Sequence, residues 1–245
     1  RHPNNSLALA YIKRIREKGY PIETIAVERI GARFHDARAS PGEIASATAI
    51  RNLLLRSERE FAYSLLPDAS SRILKRSIES GHAALSDDRL WRAVRQAMLR
   101  ASPGELSDLA EMGEGLENRM ARCAYEADSL GSFVSLCTSR RYPAGRIRRY
   151  CIHMLLNLRR DASLKFQKNG PAYIRVLGAN PTGRELLAKM RKSATLPVIS
   201  GAPRRKASPY AGEILRFERA ATEIWETLTD SPRLKAESRL VPVMS

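Results

Sequence analysis

Apolar residues recur at helical spacing along most of this chain, and one short stretch near the start departs from that spacing. The helical pattern predicts a first helix from Asn5 or Ser6 to Lys18, ended by Gly19. The departure covers residues 22–30, where β-branched side chains lie between a proline and a glycine and predict a strand. A helix followed by a strand is typical of an α/β unit.

Beyond residue 57 the helical spacing returns, which predicts a domain built from helices. The expected helices are 58–66, 70–80, 88–100, 105–111, 115–127, 130–138, 145–160, 182–192 and, after a linker over 200–212, 213–228. Residues 173–177 are either a short strand or the start of a buried helix. Trp91 and Trp225 share the spacing of other apolar residues, so both are expected in the core.

The predicted organisation has three parts, residues 1–57, 58–200 and 201–245. A lone strand leaves backbone groups unpaired and cannot bury both of its faces. We therefore expect residues 1–57 to be the C-terminal portion of an α/β domain, with further residues preceding Arg1. The fold class expected is α/β followed by an all-α domain and a last amphipathic helix.

Charge changes this picture, because Lys and Arg outnumber Asp and Glu by 42 to 26. Such an excess favours a polyanionic partner, with nucleic acid as the first candidate and anionic lipid as an alternative. The chain contains no apolar run long enough to span a membrane and does not begin with a signal peptide. These features predict a cytoplasmic protein without a membrane partner.

The basic residues concentrate between positions 138 and 165, where eight of them accompany a single acid, Asp161. Arg146, Arg149 and Arg160 fall on one side of the predicted 145–160 helix, away from its apolar stripe. A solvated helix face usually mixes the two signs of charge, so an RNA-backbone contact is the favoured interpretation. Tyr142 either stacks on an unpaired base or anchors its own loop.

A second candidate site lies where a loop becomes a helix, at residues 44–51. Ser46 and Thr48 supply hydroxyls there, and Arg51 follows one turn later. The start of a helix has unpaired N–H groups and a partial positive charge, which together favour phosphate. The alternative is an ordinary helix N-cap, since Ser and Thr are preferred there without any ligand.

Three short motifs occur in order: Pro3-Asn4-Asn5, residues 29–36 (R-I-G-A-R-F-H-D) and residues 44–51 (I-A-S-A-T-A-I-R). Together they resemble the second half of the nucleotidyltransferase domain in the bacterial tRNA(Met) cytidine acetate ligase family. The resemblance continues through residues 114–119, 140–149 and 173–178, and covers about residues 1–200. The Gly-rich and H-x-G-H segment of that superfamily has no counterpart here, so the catalytic site is expected to be half present.

The resemblance implies a Rossmann-like nucleotidyltransferase domain followed by a helical, basic, tRNA-binding domain. It implies that the complete protein uses ATP, with Mg²⁺, to convert acetate to acetyl-adenylate and then acetylates the wobble cytidine of elongator tRNA(Met). The positions expected to contact ATP are Asn4, Asn5, Arg29, Ser46, Thr48 and Arg51. Those expected to contact tRNA are Arg140, Arg141, Arg146, Arg149 and Arg160.

The cysteines predict neither a disulfide nor a metal site, and the function has two alternatives. Cys123, Cys137 and Cys151 lack disulfide or zinc-ligand spacing and are expected to be buried thiols, and no metal site is expected. The sequence assigns no catalytic residue and no oligomeric state. Two alternative functions stand: a non-catalytic RNA-binding module, and a nucleotidyltransferase acting on a small metabolite.

Overall fold

A computed structural model describes residues 3–27, 44–200, 208–239 and 241–244 of the chain. The described residues are mostly helical, with short strands only in the C-terminal third. The helices are α1 (Pro3–Lys18), α2 (Ala47–Leu55), α3 (Arg59–Ser64), α4 (Asp68–Glu79), α5 (Asp88–Arg100), α6 (Pro103–Ser107), α7 (Leu116–Glu126), α8 (Leu130–Cys137), α9 (Ala144–Leu156), α10 (Arg160–Asn169), α11 (Pro181–Ser193), α12 (Pro209–Thr227) and α13 (Ala236–Arg239). The strands are β1 (Ile174–Val176), β2 (Gly178–Ala179), β3 (Val198–Ser200) and β4 (Val243–Met244).

The chain divides into two compact units, residues 1–66 and 67–245. In the first unit, the predicted helix after Asn5 is confirmed as α1, and Gly19 follows it with a left-handed φ of 60°. Helix α2 packs against α3. The buried side chains of this unit include Ala49 and Tyr63.

The strand predicted over residues 22–30 is wrong for residues 22–27, which adopt no regular structure. Ile25 and Val27 are 83% and 87% exposed. Branched side chains favour extended backbone, but a strand forms only where a neighbour accepts its hydrogen bonds. No strand among the described residues pairs with 22–27. The remainder of the prediction, residues 28–30, lies outside the described residues.

The core of the second unit lies between α5, α7, α8 and α9, four of the helices that the apolar spacing predicted. Helix α5 packs on α7 and α9, and α8 packs on the same two helices. Trp91 and Phe133 stack at the centre with ring centroids 5.1 Å apart. The three cysteines are free and buried in this core, and burial raises the pKa of the Cys151 thiol to about 12. A thiol held neutral in this way is a packing residue rather than a nucleophile.

The expectation of an all-α domain is wrong for residues 174–200. Here β1 and β3 pair in parallel, with Ile174 opposite Val198, and α11 connects them. Strand β2 pairs in parallel with β4. The segment 173–177 therefore contains a strand, Ile174–Val176, which is the first of the two alternatives left open. Parallel pairing needs a crossover of a dozen or more residues, and a pattern read over neighbouring residues does not reveal it.

Three further predictions differ from the structure. The 145–160 helix is interrupted at Asn157, whose φ of 48° ends α9 before α10 begins. Helix α12 starts at Pro209, inside the expected linker, because Ser208 caps its first turn. Trp91 is buried as expected, whereas Trp225 is 50% exposed and does not belong to the core.

Candidate functional site

The start of α2 is the first candidate site. Ser46 precedes the helix in extended conformation, and its Oγ accepts a hydrogen bond from the Ala49 N–H at 3.0 Å. Helix geometry leaves the N–H groups of Ala47 and Thr48 without intrahelical acceptors. The first turn contains no acidic residue, and Arg51 is exposed one turn further. This arrangement is the ordinary helix N-cap that was given as the alternative. It also leaves backbone N–H donors for an anion.

The structure brings three of the six predicted ATP residues together, namely Ser46, Thr48 and Arg51. Asn4 and Asn5 lie in the first turn of α1, where Asn5 is exposed. Arg29 lies outside the described residues. The assignment of these six positions to ATP therefore stays a prediction.

The second candidate site is the arginine-rich stretch between residues 138 and 165, which surrounds the loop after α6. Arg160 donates from Nη2 to the carbonyl oxygens of Ser107 and Met112, at 3.0 and 2.7 Å. Arg146 donates from Nη2 to the carbonyl of Glu111 at 3.1 Å. These guanidinium groups hold the backbone of the loop in place.

Two glutamates in this loop pair with further arginines. Arg149 lies 3.0 Å from the Glu111 carboxylate, and Arg141 forms an ion pair with Glu114. Both glutamates adopt left-handed backbone, with φ of 61° and 62°. This conformation is unfavourable for a side-chain-bearing residue, so the arginine contacts stabilise a strained loop.

Tyr142 serves as an anchor, as in the second of the two interpretations given for it, but its hydroxyl holds the loop after α6 rather than its own loop. Its hydroxyl is 3.2 Å from the Gly113 carbonyl and 3.1 Å from the Glu114 carboxylate. Burial, and then the hydrogen bond to Glu114, raises the pKa of Tyr142 above its ordinary value. The ring is 7% exposed and is therefore no platform for a nucleotide base.

The charge of the arginine-rich stretch is largely neutralised by acids from outside it. Its partners are Asp87, Asp108, Glu111, Glu114 and Glu213. Of the five predicted tRNA residues, only Arg140 forms no hydrogen bond or ion pair with any residue that the structure describes. Arg160 also belongs to α10 rather than to the helix that carries Arg146 and Arg149. The single basic stripe expected along one helix is therefore wrong in geometry.

Sequence reasoning missed these acids because each lies dozens of positions from its partner: four precede their arginines, and Glu213 follows Lys165. Glu114 lies between two glycines and Glu111 lies two residues before the first of them, and no periodicity links either glutamate to α9. The one available signal was that Glu114 is the first residue of the segment 114–119, which belongs to the family resemblance. Within the described ranges, no group of His, Cys, Asp or Glu is placed to hold a metal ion, and no helix could span a membrane.

The chain is similar to curated proteins over most of its length. The chain is 31% identical over 242 residues to tRNA(Met) cytidine acetate ligase of Clostridium perfringens, covering 98% of the chain and 57% of that relative. It is 34% identical over 223 residues to tRNA(Met) cytidine acetate ligase of Listeria monocytogenes, covering 91% of the chain and 53% of that relative. The chain thus spans about half the length of the curated relatives it matches.

Solved structures show the same fold. The apo crystal structure of Thermotoga maritima TmcAL superposes with a TM-score of 0.90 at 25% identity, covering 99% of this chain and 60% of that one. A second crystal form of TmcAL, bound with alpha-thio ATP, gives a TM-score of 0.73 over 82% of this chain and 52% of that one. The fold is therefore nucleotidyltransferase-like, mostly helical, with small parallel sheets. Because its profile matches residues 1–239, the chain belongs to the HIGH Nucleotidyl Transferase family.

Proposed function

We propose that this chain is part of an ATP-dependent tRNA(Met) cytidine acetate ligase. The observation that carries the proposal is its similarity, at 31% identity over 98% of the chain, to a curated ligase of that name. The TM-score of 0.90 to TmcAL supports the same assignment. Its substrates are acetate, ATP and elongator tRNA(Met), which would place the reaction in the cytoplasm.

The proposed reaction has two steps. The acetate carboxylate attacks the α-phosphorus of ATP, which gives acetyl-adenylate and releases pyrophosphate. The exocyclic amine of the wobble cytidine then attacks the acetyl carbonyl, loses a proton and releases AMP. Both steps require cations and N–H donors around phosphate rather than a nucleophile on the protein.

The residues proposed to bind ATP are the N–H donors at the start of α2, together with Ser46, Thr48 and Arg51. Asn4, Asn5 and Arg29 are proposed to complete the site from the motifs that resemble the family. The triphosphate would be accompanied by Mg²⁺, which suits the charge of phosphates. The acid-free first turn of α2 supports this proposal.

The helical part from residue 67 onward is proposed to bind tRNA. An excess of positive charge over the whole chain supports this proposal, since tRNA is a polyanion. The two alternative functions differ from it in substrate. A non-catalytic module would bind RNA without transferring an acetyl group, and a metabolite nucleotidyltransferase would need no tRNA.

The test is a chimera in which this chain replaces the matched region of the Clostridium perfringens relative. The chimera is incubated with ATP, radiolabelled acetate and elongator tRNA(Met), and label in N4-acetylcytidine is measured. We expect labelling of this tRNA and none of a matched control transcript whose wobble cytidine is replaced by uridine.

The alternatives give different results in the same assay. Binding of tRNA without label transfer by the chimera supports the non-catalytic module. Pyrophosphate release that depends on a small metabolite, with no dependence on tRNA, supports the third function. Either result overturns the proposal.

A further inference from the structure

The described arginines between residues 138 and 165 are poor candidates for the main RNA contact, because intramolecular acceptors already engage most of them. An arginine that donates to a carbonyl or an acid gives up that bond when it turns to a phosphate. The free-energy gain from counterion release is then reduced by the bond that is lost. The RNA backbone should instead meet cations that have no partner in the protein.

Helix α11 carries such cations in its C-terminal part, residues 189–192. Its sequence contains Arg184, Lys189, Arg191 and Lys192 against the single acid Glu185. Lys189, Arg191 and Lys192 are exposed, and none of the three forms an ion pair or hydrogen bond through its side chain with the residues that the structure describes. Three unengaged cations therefore lie within four consecutive positions.

The fold holds this helix with its charged side outward. Leu187 and Met190 are half-buried and lie on one face, and α11 packs against β2 and β3. Lys189 and Lys192 are spaced three apart, so they are neighbours on the helix surface. Lys189 and Lys192 thus form a basic ridge that faces solvent, and Arg191 is exposed on a neighbouring side of the same helix.

Other basic helices are less suited to this role. In α1 Lys13 pairs with Glu17 at 3.7 Å, while Arg14, Arg16 and Lys18 are exposed and have no partner among the described residues. Helix α1, however, belongs to the unit that carries the proposed ATP residues. In α4 the cations share the helix with two acids, Asp68 and Glu79. Helix α11 combines a low acid content with cations that have no partner in the described structure.

We propose that α11 is a docking surface for the phosphate backbone of tRNA, with Lys189, Arg191 and Lys192 as the contacting residues. The inference rests on the proposed function, since tRNA is the polyanion named there. The contact is to phosphates, so it positions the substrate and does not read its bases. Selection of the target cytidine is left to other residues.

The test compares tRNA binding by the wild-type chain and by the triple variant K189Q/R191Q/K192Q, using filter binding across a salt series. The slope of log affinity against log salt is negative, and each lost phosphate contact makes it less steep by about 0.7 to 0.9. We expect the magnitude of the slope to decrease by about 2 and the Kd at low salt to rise about tenfold or more. A conservative variant, K189R/R191K/K192R, keeps the charges and should bind like wild type.

The matched control removes the same charge elsewhere, through R92Q/K168Q/R219Q. These three cations are exposed, lie on three different helices and also have no partner among the described residues. A clearly smaller loss in this control than in the α11 variant supports the proposal. An equal loss would mean that net charge alone matters, and it overturns the proposal.

Two other outcomes separate this inference from the proposed function. If wild type binds tRNA and the α11 variant overlaps with it, α11 is not the docking surface and the proposed function stands. Cations in the last turn also stabilise a helix through its dipole, and that role alone predicts this overlap. If the wild-type chain binds no tRNA at low salt, both the inference and the proposed tRNA binding are wrong.

Discussion

At the scale of residues, an arginine is better described by its acceptors than by its charge. Arg160 was expected to meet a phosphate, yet its guanidinium holds the Met112 carbonyl at 2.7 Å. The sequence revealed the charge of this stretch and the buried stripe of α9, including Ile147 and Tyr150. It could not reveal acceptors contributed by a loop some fifty positions earlier, because no local spacing connects the two segments.

Arg160 should therefore matter for stability. In R160Q the shorter amide cannot reach both carbonyls, and hydrogen bonds to charged groups contribute about 1.5–3 kcal/mol. Because the site is partly solvated, we expect the free energy of unfolding to fall by about 1–2 kcal/mol. Urea denaturation followed by circular dichroism measures it. The control is R140Q, which should stay within about 0.5 kcal/mol of wild type, and equal effects of the two changes would contradict this account.

At the scale of elements, apolar spacing predicted most helices and failed where backbone conformation or remote pairing decides. The stripe that runs from Ile147 continues through Leu158, so the pattern predicts an uninterrupted helix. The chain nevertheless turns at Asn157, because asparagine tolerates the left-handed conformation better than most residues. The spacing of apolar side chains does not indicate φ. It also does not indicate which strand pairs with β1.

Asn157 allows a direct test of this break. Substitution N157V places a β-branched residue at a φ of 48°, which should lower the free energy of unfolding by about 1–2 kcal/mol. Substitution N157G should preserve or slightly raise stability, since glycine adopts this conformation freely. The control N169V makes the same change at the end of α10 and should cost less than about 0.7 kcal/mol. Equal losses for N157V and N169V, measured by thermal denaturation, would show that the turn imposes no conformational demand.

At the scale of the whole molecule, three short motifs predicted a nucleotidyltransferase, and the match of residues 1–239 to the HIGH Nucleotidyl Transferase family confirms that prediction. Such motifs consist of neighbouring residues, so they can be recognised in the sequence without a structure. That residues 22–27 form no strand was not readable, because strand formation depends on neighbours elsewhere in the chain. The division at residue 66 likewise reflects contacts between remote residues rather than a change in composition.

The second unit, residues 67–245, should fold without residues 1–66. The main hydrophobic core, from Trp91 to Cys151, lies entirely within residues 67–245. We therefore expect a chain of residues 67–245 to unfold cooperatively and to keep the near-ultraviolet circular dichroism of its buried Trp91. Replacing the fully buried Phe133 by alanine should cost about 3–5 kcal/mol in both the full chain and the shorter one, since the cavity is the same. A shorter chain that lacks a cooperative transition, or that is insensitive to F133A, would show that this core requires residues 1–66.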